Sequence, residues 1–192
     1  MKLRGLYAIT PEGVDPDKVL LALEGGMALL QYRNKARDRS HAKAVVALAK
    51  RYNVPVIIND DLDLALELGA EGAHLGRDDG NLNAARRKLK GRLLGASCYN
   101  DARLARAAVA EGADYVAFGS VFASPTKPGA VRAPLSLFRE SLGVPLCAIG
   151  GITLQNAPEV IAAGADLLAV ISDVFEAPDI RARAADYGKL FR

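Results

Sequence analysis

The 192-residue sequence predicts an α/β fold: a single eight-stranded parallel (βα)8 barrel with a helix after each strand. Three observations predict it. Short apolar runs alternate with segments of 3.6-residue apolar spacing, about eight times over. The runs are nearly continuous in apolar residues, as strands buried on both faces require. A diffuse repeat also places Gly after a helical pattern and before an apolar run: "LGAEGAHLG" (68–76), "EGADYVAFG" (111–119), "AGADLLAVI" (163–171) and, more loosely, "EGGMALLQY" (24–32). Gly there suits the left-handed cap that ends a helix. The competing architecture, a doubly wound open sheet, is weakened because "LYAITPEG" carries no GxGxxG after the first run. One domain over residues 1–192 is expected, with lean loops, since the length is slightly short for such a barrel.

The elements follow in order. "LYAIT" (6–10) is the first strand, and the second ends in Gln31-Tyr32-Arg33-Asn34-Lys35. His41 lies in a helical pattern and is expected at the surface. "PVIIN" (55–59) is the third strand, with Pro55 at its start, where a missing N–H does least harm. Asp61 then reads as a helix N-cap, Leu62, Ala65, Leu66 and Gly69 as an inward face, and Asp63 with Glu67 as an exposed pair of like charges. His74 sits within the fourth strand as a satisfied core imidazole. "RLLGAS" (92–97) is the fifth strand, and Leu104, Ala107, Ala108 and Glu111 belong to the mostly apolar stripe of the next helix. "PLCAIG" (145–150) is the seventh strand, "IGGIT" opens a helix through "TLQNAPEV", and the eighth strand ends at Ile171-Ser172.

Composition is that of an ordinary globular chain, 51% hydrophobic and 24% charged. A net charge of +3 without a Lys/Arg block argues against nucleic acid as a partner. Cys98 and Cys147 sit in apolar segments without CxxC spacing, so free buried thiols are expected rather than a disulfide or zinc site. "MKLRGLYAITPEG" has no long apolar region, and no run approaches the roughly 18 residues of a membrane span, so a cytoplasmic protein without membrane partners is expected. A homodimer is kept open, because small barrels commonly pair.

In a parallel barrel, catalytic groups collect at the C-terminal ends of the strands. Strand alternation would put Gln31, Arg33 and Lys35 on one face, where an amide and two cations suit a polyanionic ligand. "VIINDD" stops an apolar run at carboxylates, and "HLGRDD" does so again. One Asp from each, Asp60 and Asp79, could hold Mg²⁺, which prefers few carboxylates and completes its shell with water and phosphate. "ASPTKPGA" (123–130) supplies Ser124, Thr126 and Lys127 in a loop that could fold over an anion. The glycines of "IGG" and the nearby Ser172 mark a common phosphate position after strands seven and eight. No Ser/His/Asp or Cys/His set assembles for nucleophilic catalysis.

The ordered set resembles the thiamine-phosphate synthase family from Leu6 to about Ser172: the QxRxK trio, "IND", "HxG" followed by two acids, Gly-x-Ser after strand five, a Thr-Lys loop, "IGGI" and "IS". That resemblance implies a transferase joining a pyrimidine diphosphate to a thiazole phosphate, two small phosphorylated substrates, with Mg²⁺ as cofactor. Position by position it implies Gln31, Arg33, Lys35 and Asn59 on the aminopyrimidine diphosphate, with Lys127 on its phosphates. It implies Asp60 and Asp79 on Mg²⁺, and Ser97 beside the pyrimidine and diphosphate. Ser124, Thr126, Gly151, Ile171 and Ser172 would hold the thiazole phosphate. Arg33, Ser97 and Lys127 are the residues expected to act in the chemistry itself. Ser124 replaces the usual threonine, Arg77 a common glutamine, Ser120 a proline and Tyr99 a histidine. A related thiazole tautomerase, expected to use that histidine, and a non-catalytic barrel that binds thiamine phosphates are the alternatives.

Overall fold

Eight short strands pair in parallel and in chain order, and the last returns to the first to close a barrel. They are β1 (Gly5–Ile9), β2 (Leu29–Tyr32), β3 (Val56–Asn59), β4 (Gly72–Leu75), β5 (Leu93–Tyr99), β6 (Tyr115–Gly119), β7 (Leu146–Ile149) and β8 (Leu167–Val170). The structure, a computed structural model, describes residues 3–36, 38–123, 129 and 131–192. Pairing of Leu6 with Leu168 and of Tyr7 with Ala169 joins the two ends of the sheet, which an open doubly wound sheet cannot do.

The described helices are α1 (Pro16–Gly25), α2 (Arg39–Arg51), α3 (Leu62–Glu67), α4 (Leu82–Leu89), α5 (Ala102–Ala110), α6 (Ala157–Ala163), α7 (Ser172–Phe175) and α8 (Ile180–Lys189). Asp15, Asp38, Asp61, Asn81, Asp101 and Asp179 each cap a helix by accepting a first-turn N–H. Each such cap contributes roughly 1 kcal/mol. Gly26, Gly69, Gly112 and Gly164, the glycines of the four repeats, all have positive φ where a helix exits towards a strand. Among the described residues, no helix is long and apolar enough to cross a membrane.

The repeat has a second meaning. The acids that follow its glycines accept the N–H of a residue at the start of the preceding strand: Glu71 from Val56 (2.7 Å), Asp114 from Leu94 (2.7 Å) and Asp166 from Leu146 (3.1 Å). The floor of the barrel is thus sewn together by side chains.

Two apolar layers result. Strand faces turned outward pack on the helices through residues such as Leu30, Ile58, Val116 and Leu168. Faces turned inward fill the barrel with Leu3, Tyr7, Ile9, Leu29, Ile57, Tyr115, Ala117, Cys147, Leu167 and Ala169. Both cysteines are free and buried, as expected.

Five expectations need correction. Among the described residues, the β6–β7 crossover carries a 3-10 turn (Leu135–Arg139), which follows Pro134 without a side-chain cap. Helix α6 begins at Ala157, not directly at "IGGIT", since Asn156 folds back to accept from Thr153 N–H and to donate to the Gly151 carbonyl. In α5 the buried positions are Ala105 and Ala108, whose small side chains let the helix approach the sheet, and Leu104 turns outward. Asp63 and Glu67 are exposed, as expected, but each meets a cation rather than standing as a bare like-charge pair, Asp63 with Lys88 and Glu67 with Arg39 on the flanking helices. His41 is half-buried, its Nε2 donating to the Val14 carbonyl (2.8 Å) and its Nδ1 3.0 Å from the Tyr32 hydroxyl.

Candidate active site

The C-terminal ends of β3 and β4 bring the two opening acids together. Asp60 leaves β3 with φ +61, a left-handed turn that Asp tolerates, while its N–H still donates to the His74 carbonyl at 2.9 Å. Asp61 is then free to cap α3, accepting from Leu64 N–H at 2.8 Å. Asp79 closes a turn after β4 by accepting the Gly76 N–H at 2.8 Å. A Cβ on Gly76 would lie 2.8 Å from that same carboxylate oxygen, so a larger residue there would have to displace the Asp79 carboxylate. The Asp79 carboxylate is close enough to Asp60 to raise its pKa. Lost hydration, then the Asp79 carboxylate, push the Asp60 carboxyl up to about 6, against a bond from the Asn59 amide and the nearby Arg33 guanidinium.

Tyr99 braces the β4 turn. Its hydroxyl accepts the Arg77 N–H at 3.2 Å, and the Arg77 guanidinium lies 4.9 Å from its ring centre. Tyr99 therefore holds the loop carrying Asp79.

The QxRxK trio does not share one strand face. Strand β2 ends at Tyr32, so only Gln31 belongs to it, and Gln31 is buried inside the barrel. Arg33 and Lys35 lie in the following loop, which the β1 loop ties down: Thr10 Oγ1 accepts from Arg33 N–H (2.9 Å), and Glu12 from Lys35 N–H (3.0 Å). Arg33, Lys35, Asn59 and Asp60 nevertheless line one cleft between the ends of β2 and β3.

Ser97, on the inward face of β5, meets the barrel interior. His74 Nε2 lies 2.9 Å from Ser97 Oγ, and His74 Nδ1 lies 3.0 Å from the Tyr115 hydroxyl. Tyr115 continues to Tyr7 (2.7 Å), which accepts from Gln31 Nε2 (2.7 Å). His74 is thus a satisfied core imidazole, held neutral by burial, with its pKa down at about 4. Tyr7, Tyr115 and Gly95 escaped the sequence reading. Two tyrosines on facing inward positions of an otherwise aliphatic barrel were the available signal, since a buried phenol needs a partner.

On the other side of the mouth, Gly151 has φ +63, and a Cβ there would lie 2.2 Å from the Ala123 carbonyl. The end of β7 is thereby pressed against the segment leading into the Thr-Lys loop. Ser124, Thr126 and Lys127 lie outside the described residues. Ile171 caps α7 and Ser172 begins it. Asp173, paired with Arg183 at 2.6 Å, accepts from Leu154 N–H at 3.3 Å and links this helix to the loop after β7. Among the described residues, no group of three or more His, Cys, Asp or Glu could hold a metal ion. Two carboxylates do stand together, the sparse set a hydrated cation accepts.

The family model described as thiamine monophosphate synthase matches residues 6–174. The thiamine-phosphate synthase of Aromatoleum aromaticum is 58% identical, covering 99% of this chain and 97% of its own. That of Azoarcus sp. is 52% identical over 99% and 98%. The solved thiamine phosphate pyrophosphorylase from Pyrococcus furiosus superposes with a TM-score of 0.88 at 33% identity, covering 99% of this chain and 96% of that one. The chain therefore belongs to the thiamine monophosphate synthase family, a family of transferases acting on small molecules.

Proposed function

We propose that the chain transfers the aminopyrimidine methylene group of 4-amino-2-methyl-5-(hydroxymethyl)pyrimidine diphosphate to the ring nitrogen of 4-methyl-5-(2-phosphooxyethyl)thiazole, releasing diphosphate and forming thiamine phosphate. One observation carries the reading: Asp60 and Asp79 crowd together on a rim that also bears Arg33, so acid and base face one small volume.

The paired acids fit a hard divalent cation, since two adjacent carboxylates repel unless a proton or metal lies between them. Magnesium held by Asp60 and Asp79 would supply the positive charge that turns an acidic rim into a diphosphate site. Arg33 and Lys35 bind the diphosphate from the same cleft and offset the charge that grows as its bond to carbon breaks. Lys127 adds to this by family resemblance. Gln31 and Asn59 orient the aminopyrimidine, with Ser97 beside it. Ser124, Thr126, Gly151, Ile171 and Ser172 hold the thiazole phosphate.

The electron-rich pyrimidine delocalises positive charge, so a dissociative path needs no protein nucleophile. Burial raises the Cys98 thiol to about 12 and raises Cys147 further, so neither would serve as one. The remaining task is to align the thiazole nitrogen with the methylene and keep water out. Residues 1–192 would do this as one domain in the cytoplasm.

The test mixes both substrates with the protein and oxidises the product to fluorescent thiochrome. A magnesium-dependent signal is expected. No signal with both substrates and metal present would overturn the reading and leave a tautomerase or a binding protein.

A further inference from the structure

Four hydrogen bonds cross the barrel interior in one line, from Gln31 through Tyr7, Tyr115 and His74 to Ser97. The two ends are residues of the site. The three between them are buried and play no part in the chemistry above.

The direction of the line follows from counting protons. Burial raises the pKa of both phenols, so each keeps its one hydrogen. The Gln31 amide nitrogen can only donate, so Tyr7 accepts there and gives its hydrogen to Tyr115. Tyr115 must then donate to His74 Nδ1. A neutral imidazole with Nδ1 accepting carries its hydrogen on Nε2, which donates to Ser97 Oγ. The hydroxyl hydrogen of Ser97 is left for the barrel mouth.

The backbone makes room for this line. A Cβ on Gly95 would lie 2.3 Å from the Tyr115 hydroxyl and 2.5 Å from His74 Nδ1, so glycine is what permits that bond.

We propose that Tyr7, Tyr115 and His74 are positioning residues that fix this direction, so that Ser97 presents a hydrogen-bond donor to a ring-nitrogen lone pair of the bound aminopyrimidine. The identity of the ring rests on the function proposed above; the direction of the line does not. A reversed line would leave Ser97 donating to His74 and able only to accept from substrate.

The experiment reads the His74 tautomer by long-range ¹H–¹⁵N correlation without substrates. His41 is the chain's other histidine, and its Nε2–H on the Val14 carbonyl serves as an internal reference. The wild type is expected to show a pyridine-type Nδ1 and a protonated Nε2. In Gln31→Glu, an ionised carboxylate can only accept, so every bond should reverse and the protonated nitrogen should move to Nδ1. The switch should track ionisation of the introduced carboxyl, followed by its ¹³C shift. Adding Tyr7→Phe cuts the line and should restore the Nε2–H form, which a merely structural role for Tyr7 would not do. A wild type protonated at Nδ1, or the introduced carboxyl ionising with the imidazole unmoved, would overturn the proposal. The wild-type tautomer decides by itself if the variant does not fold. Turnover by the wild type tests the proposed reaction separately.

Discussion

Replacing Gly95 by alanine adds one methyl group at a crowded point inside the barrel. Gly95 lies outside the left-handed region, so the backbone accepts alanine and the cost is steric. The new Cβ would sit 2.1 Å from Tyr115 Cζ, and ordinary contact begins at 3.4 Å, so the ring must retreat by about 1.3 Å. Tyr115 is fully buried and held at its hydroxyl by Tyr7 and His74, so it cannot retreat without breaking those bonds. Overpacking of this kind costs about 1–3 kcal/mol. Two buried hydrogen bonds add about 1 kcal/mol each. The sum, about 3–5 kcal/mol, is a large fraction of the roughly 5–15 kcal/mol that stabilises a domain. At roughly 2–4 °C per kcal/mol, Tm should fall on the order of 10 °C. Urea and thermal unfolding followed by circular dichroism measure it. Gly188 is the control: nothing lies within 4 Å of its Cβ position in α8, and alanine there should stabilise by about 0.5–1 kcal/mol. Equal stability of Gly95→Ala and the wild type would refute the packing argument.

Three further outcomes are expected. Because the Asp60 carboxyl is raised to about 6, the native state binds more protons than the unfolded chain between the ordinary Asp range and pH 6. Metal-free stability should therefore fall as pH rises through that window, and Asp60→Asn should flatten the slope in pH-dependent urea titrations. Tyr99→Phe keeps the ring beneath Arg77 but removes the acceptor for its N–H, a loss of about 0.5–1 kcal/mol that should raise the magnesium requirement of turnover roughly two- to fivefold. Asp166→Ala leaves the Leu146 N–H without its carboxylate at the barrel floor, and chemical denaturation should register a loss of about 1–3 kcal/mol.

Much of this molecule was legible in its sequence because strand and helix periods are local. The glycines of the repeat announced the turns from helix to strand, and "VIINDD" placed Asp60 and the cap Asp61 correctly. Where long-range geometry decides, the reading failed. Nothing local in "QYRNK" says that the strand stops at Tyr32 and sends Arg33 and Lys35 into a loop held by Thr10 and Glu12. In α5 the expected stripe was right at Ala108 and out of register at Leu104, because the sheet is approached most closely at Ala105. The acids of the repeat were visible as "AEG", "ADY" and "ADL", yet their role depends on a neighbouring strand distant in sequence. The Tyr7–Tyr115–His74 line depends on contacts across the closed barrel.

The central claim is that Asp60 and Asp79 jointly hold a divalent cation beside a diphosphate. Titration of Mn²⁺, as a paramagnetic substitute for magnesium, into the protein with inorganic diphosphate present tests it directly by electron paramagnetic resonance. One bound ion per chain is expected in the wild type and a marked loss in both Asp60→Asn and Asp79→Asn, with each fold verified by circular dichroism. Wild-type binding in both variants would contradict the account.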